Sequence, residues 1–209
     1  MFSIILRFVT LFSALSGILL IFYVNLSVMR YGDVLSTVGN LLSFFTVQSN
    51  ILVFVVMIGL VLGFWKSLKS HAFFHVVLVN ILITGLVYFF VLENVWEPEG
   101  FVKIADQLLH YSTPILFFVY YFVGLVRKKI SYRVVFLVLI YPVVFFVYSL
   151  VRGSFTDFYP YFFIDPFVYS YSQIFVNASM VLFLFVGVSA VLVFLHNLVY
   201  QKFFKGQVR

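Results

Sequence analysis

Six apolar runs, each long enough to cross a membrane, constrain this chain more than anything else in it. The run VVFLVLIYPVVFFVYSLV, residues 134–151, shows the type: it carries no charge and is apolar at odd and even positions alike. A helical span needs about 20 such residues to cross a hydrocarbon core of about 30 Å, and stretches at roughly 5–29, 44–65, 72–92, 108–126, 133–151 and 173–199 meet that requirement. Barrel strands would alternate polar and apolar residues. Backbone groups in lipid must be satisfied within their own segment, so helices follow. With 64% hydrophobic and 10% charged residues, 30 Phe among them, the chain has more apolar surface than one soluble core could hide. The expected fold is all-α: a polytopic membrane protein in which residues 1–209 form a single domain of six transmembrane helices.

The first run is not expected to be a cleaved signal peptide, because it is too long and has no small-residue cleavage site after it. Orientation is read from the basic residues. Arg7, Lys66, Lys69, Arg127, Lys128, Lys129, Arg133, Lys202, Lys205 and Arg209 fall on one side, against Arg30, Lys103 and Arg152 on the other. All seven acids, Asp33, Glu93, Glu97, Glu99, Asp106, Asp157 and Asp165, share that second side. Both termini are therefore expected in the cytoplasm. The formal net charge of +6 follows this topology and is no nucleic-acid footprint. With no cysteine, the chain is excluded from disulfide, thiolate and cysteine-bound metal chemistry.

Polar residues gather at the outer ends of the spans. In FFTVQSN, residues 44–50, Thr46 and Asn50 share a helix face with Ser49 beside them, while Gln48 points elsewhere. Asn80, Thr84 and Tyr88 form a ladder in the third span, and Gln173 and Asn177 share a face of the sixth. For Asn80, Thr84, Gln173 and Asn177, helix-to-helix adhesion at roughly 0.6 kcal/mol per bond is the plainer explanation. Trp65, Trp96, Tyr159 and Tyr161 read as an interfacial belt. His71 and His75, four apart on the cytoplasmic side with no acid near, read as headgroup-level residues, and so does His196.

His110 stands apart. It follows Asp106 by one turn in ADQLLHYSTP, residues 105–114, and a histidine at membrane depth is costly unless used. Asp106 would fix its tautomer and leave Nε2 as a base, and Thr46 or Ser49 would be the hydroxyl it activates. A proton relay or a polar packing cluster would show the same spacing.

FFTVQSN, LLHYSTP and RGSFTDFYPYFFID together resemble the androgen-induced and androgen-dependent multipass membrane proteins, and most closely the uncharacterised bacterial six-pass branch of that family. The likeness spans most of the chain. The resemblance implies intramembrane threonine hydrolysis of fatty acid esters of hydroxy fatty acids, with Thr46 as the essential threonine and His110 as the essential histidine. Asp106, Asp165, Ser49, Asn50 and Gln48 would support or orient them, with Ser49 or Asn50 bonding the oxyanion. The substrate would be a lipid or fatty acyl ester, with membrane lipids as surroundings and neither metal nor organic cofactor. The resemblance also implies the bacterial inner membrane, and the orientation read from the basic residues puts the site towards its outer face. A transporter or binder of a small amphiphile is the alternative, although the spans lack the paired Gly/Pro breaks of inverted-repeat transporters. A structural partner subunit is a third possibility.

Overall fold

The computed structural model describes residues 1–64 and 71–203. Trp65, Lys66, Lys69, Lys205 and Arg209, used above for the belt and the orientation, lie outside the described residues. The fold is all-α, with no strand among the described residues. Among the described residues, six helical segments are long and apolar enough to span a membrane: Phe2–Ser27, Phe45–Leu62, His71–Leu92, Gly100–Leu125, Val134–Thr156 and Tyr171–Phe203. The chain is an integral membrane protein. Six spans put Phe2 and Phe203 on the same side.

The helices are α1 (Phe2–Ser27), α2 (Val34–Leu42), α3 (Phe45–Leu62), α4 (His71–Val87), α5 (Gly100–Gln107), α6 (Thr113–Tyr120), α7 (Val134–Leu137), α8 (Ile140–Thr156) and α9 (Tyr171–Phe203). Helix α4 runs on into a π turn, Tyr88–Leu92, and a second π turn, Leu108–Ser112, joins α5 to α6. The fourth span thus starts at Gly100, earlier than hydropathy places it. Lys103 and Asp106 depress the apolar average there without interrupting the helix. Helix α2 is not legible in the sequence as a separate element. It is short, and Asp33 caps it by accepting from the Ser36 N–H at 2.9 Å and the Ser36 hydroxyl at 2.7 Å. Those two bonds, the backbone one first, hold the Asp33 carboxyl below its ordinary range.

Helix α1 packs against α3, α5 and α6, and α4 lies among α3, α6 and α9. Their shared core includes Met57, Leu78, Ile81, Phe117 and Phe185. Arg7, deep on α1, donates to the Leu60 carbonyl at 3.0 Å and to the Tyr120 hydroxyl at 3.1 Å. A cation at the last turn of α3 meets the negative end of the helix dipole. Helix α8 is the loosest span. It reaches the bundle mainly through side-chain tips: Tyr141 to Gln48, Phe145 onto Phe45, Phe146 onto Phe175 and Arg152 to Asn40.

At the end where the chain termini lie, buried polar groups tie helices together. The His75 imidazole bonds the Ser189 hydroxyl at 2.9 Å, and Tyr121 lies 2.7 Å from Nδ1 of His196. His196 donates from Nε2 to the Lys128 carbonyl at 2.7 Å. Asn197 clasps both the N–H and the carbonyl of Ile130. His75 and His196 are wholly buried. The headgroup-level expectation for these two is corrected: hydroxyl and carbonyl partners on facing helices satisfy them inside the bundle.

Candidate active site

The π turn Leu108–Ser112 places His110, and its cause is local. Pro114 has no N–H to donate to the His110 carbonyl, so the regular ladder cannot pass this point. Single π turns of this kind recur at functional sites. Gly85 on α4 permits the close approach, because a Cβ there would lie 2.8 Å from the His110 carbonyl oxygen.

Thr46 is the second residue of α3, whose entry residue, Phe44, is extended and offers no side-chain cap. Its Oγ1 lies 3.1 Å from Nε2 of His110. Nδ1 of His110 is 3.1 Å from the Asp106 carboxylate and 3.1 Å from the Asp106 carbonyl. We therefore assign the proton to Nδ1, which leaves the Nε2 lone pair to accept from the Thr46 hydroxyl. The Tyr88 hydroxyl lies beside the Asp106 carboxylate. The Tyr88 ring stacks on the imidazole, with centroids 4.0 Å apart and planes 16° from parallel. Imidazole orientation is thus fixed on one edge and one face.

Tyr161 completes the cluster. Its phenol oxygen accepts from the Thr46 backbone N–H at 3.2 Å and also bonds the Phe45 N–H. These are first-turn donors that α3 cannot satisfy internally. The same hydroxyl lies 3.2 Å from Thr46 Oγ1. Burial pushes the Tyr161 phenol above its ordinary range, against the lowering effect of its bonds to Thr46 and Phe45, so it stays a neutral O–H donor. Its ring is held by stacking on Phe163 and by edge contact with Phe44.

The other expected site residues take different places. Gln48 donates to the Leu42 carbonyl at 2.9 Å and accepts from Tyr141 at 2.6 Å, so it caps α2 and anchors α8. Ser49 bonds the Thr46 carbonyl at 3.1 Å and the Thr84 hydroxyl at 2.8 Å. Asn50 gives its amide hydrogens to the carbonyls of Thr46, at 2.9 Å, and Leu109, at 3.1 Å. The expected oxyanion role for Ser49 or Asn50 does not fit, because these donors are committed to backbone and hydroxyl partners. Asp165 does not join His110: its carboxylate accepts from the Phe167 N–H at 2.8 Å and shapes the entry to α9. Gln173 and Asn177 brace the same loop through the Phe163 carbonyl.

Two cavities meet at Thr46 and Tyr161, both of which line both spaces. One, of about 220 Å³, is walled by hydrocarbon and aromatic side chains such as Ile83, Phe146, Ala178 and Leu182. The other, of about 320 Å³, contains His110 and Asp106 and carries Asn25, Arg30 and Trp96. No group of three histidines or acids suited to a metal ion occurs among the described residues. No family model matches the chain, and no curated protein or solved structure matches it either.

Proposed function

We propose that the protein is a membrane-embedded hydrolase of lipid-like acyl esters, with Thr46 as nucleophile. The observation that carries this reading is the line Thr46 Oγ1, His110, Asp106, in which each contact is 3.1 Å. A hydroxyl is a poor nucleophile until an adjacent base takes its proton during attack. Here Oγ1 attacks the ester carbonyl carbon while its proton passes to Nε2 of His110. Asp106 holds the Nδ1 proton in place and stabilises the imidazolium that forms, the role of the carboxylate in a serine triad. The Tyr161 O–H, 3.2 Å from Thr46 Oγ1, would donate to the carbonyl oxygen, and a preoriented donor stabilises the transition state as charge develops there. The imidazolium then protonates the departing alcohol oxygen. Water follows, gives its proton to His110, and releases the acid with Thr46 restored.

The motifs FFTVQSN, LLHYSTP and RGSFTDFYPYFFID support the same chemistry through their resemblance to the androgen-induced and androgen-dependent threonine hydrolases. The bacterial branch of that resemblance favours a bacterial inner membrane. The basic residues beside the termini favour a cytoplasmic location for both ends, which puts the site towards the outer face. Purified protein should hydrolyse acyl esters of p-nitrophenol. Thr46→Ala and His110→Ala should each remove nearly all of that activity, with the double variant little worse than either, because each group works only through the other. Full activity in folded Thr46→Ala would end the proposal.

A further inference from the structure

The two cavities differ in one respect that bears on how an ester would lie. Thr46 and Tyr161 border both, whereas His110 and Asp106 border only the larger one. We infer that the ester is divided at Thr46: its acyl chain occupies the cleft between α8 and α9, and its leaving alcohol occupies the cavity that holds His110. This rests on the hydrolase proposal and adds to it the orientation of the ester.

The assignment follows from the path of one proton. His110 takes it from Thr46 Oγ1 as the Oγ1–C bond forms, and must return it to the alcohol oxygen as the C–O ester bond breaks. The leaving oxygen therefore has to lie on the His110 side of the carbonyl carbon, and the acyl chain on the other. Once the alcohol has left, water enters by the vacated cavity and its oxygen attacks the acyl carbon. Its proton goes to His110, then to Thr46 Oγ1 as the Oγ1–C bond breaks.

The linings agree with this division. Among the described residues around the smaller cavity, Thr46, Thr84, Tyr161 and Ser179 are the only polar side chains, and the rest is hydrocarbon or aromatic ring. Its outer wall comes from residues exposed on the lipid-facing side of the two helices, Val143 at 43% and Phe175 at 59%. The neighbouring α8 is held by side-chain tips, so an acyl chain can slide in laterally from the bilayer. Besides His110 and Asp106, the larger cavity is lined by apolar Leu41, Val47 and Leu109, and it includes exposed Arg30 and Trp96, where the Arg30 guanidinium lies 5.3 Å from the Trp96 ring centre. An alkyl alcohol can lie along those apolar residues, and a polar far end would meet Arg30.

Two ester series test the assignment: p-nitrophenyl esters from acetyl to dodecanoyl, and acetate esters of linear alcohols from ethanol to dodecanol. Ala178→Phe fills the smaller cavity and Val102→Phe the larger; neither residue belongs to the catalytic group. Ala178→Phe should lower kcat/KM for the dodecanoyl ester about tenfold or more and leave the dodecyl acetate within about twofold; Val102→Phe should do the reverse. Ala178→Leu, a smaller filling, should move the acyl cut-off to longer chains, which keeps the test open if Ala178→Phe does not fold. The opposite pattern, or equal losses in both series, overturns the arm assignment while leaving a Thr46-dependent hydrolase standing. Wild-type protein that cleaves neither series overturns the hydrolase proposal and this inference with it.

Discussion

Thr46 and His110 stand 3.1 Å apart although 64 residues separate them, one at the first turn of α3 and the other in a π turn made by Pro114. Both are nearly shielded: Thr46 is 7% exposed, and 10% of the His110 side chain is accessible. Water screens such a pair little, so the hydroxyl-to-imidazole contact is stronger here than at a surface.

Tyr161→Phe keeps the ring that stacks on Phe163 and removes only the hydroxyl. Loss of one oxyanion donor lowers kcat on the order of a hundredfold. Substrate affinity depends on the cavity walls, so KM should change little. Steady-state kinetics of the variant check this, and an unchanged kcat would remove Tyr161 from the chemistry.

Asp106→Asn should lower kcat by about a hundredfold or more, because an amide can donate to Nδ1 and turn the imidazole into the wrong tautomer. Asp165→Asn should leave kcat near the wild-type value, since its carbonyl oxygen still accepts from the Phe167 N–H. Parallel kinetics of the two variants separate a carboxylate that orients the base from one that shapes a loop.

The six spans, the pairing of Thr46 with His110 and the i, i+4 link to Asp106 are all legible in the sequence. Each of these rests on local spacing, on a motif or on the length of an apolar run. Tyr161 reads there as part of the interfacial belt, because a tyrosine beside a span end most often sits in it. Its true position depends on the loop before α9 folding back over the first turn of α3, a contact across 115 residues with no periodicity to announce it. Tyr88 belongs to a visible ladder in the third span, but its stacking on His110 needs the π turns, which a 3.6-residue pattern does not reveal. The amides and hydroxyls beside Thr46 mislead for the opposite reason. They share its helix, yet a helix with polar residues on adjacent faces can aim them at backbone carbonyls, its own and its neighbours', as Ser49 and Asn50 do.

His196→Phe tests the buried struts at the far end of the bundle. It removes the closest partner of the buried Tyr121 hydroxyl, leaving only the longer 3.5 Å contact to Nδ1 of His75, and the donor to the Lys128 carbonyl; an unsatisfied buried group costs about 1–3 kcal/mol. Thermal unfolding in detergent should shift down, while activity per folded molecule stays unchanged because this network lies at the opposite end from Thr46. A lost activity without a lowered midpoint would link the two ends.

Reporter fusions after Glu99 and after Lys128 should report opposite compartments, with Lys128 on the cytoplasmic side. The basic residues near 127–133 and the acids at 93–99 set that expectation. The same compartment for both would contradict six spans.

The central claim is that Thr46 carries the acyl group. Protein incubated briefly with a p-nitrophenyl fatty acyl ester, quenched in acid, digested and read by tandem mass spectrometry should show the acyl mass on Thr46. The signal should be absent in Thr46→Ala and weak in His110→Ala. An acyl mass on Ser49 instead, or turnover of the ester with no modification and no loss in Thr46→Ala, would contradict the account.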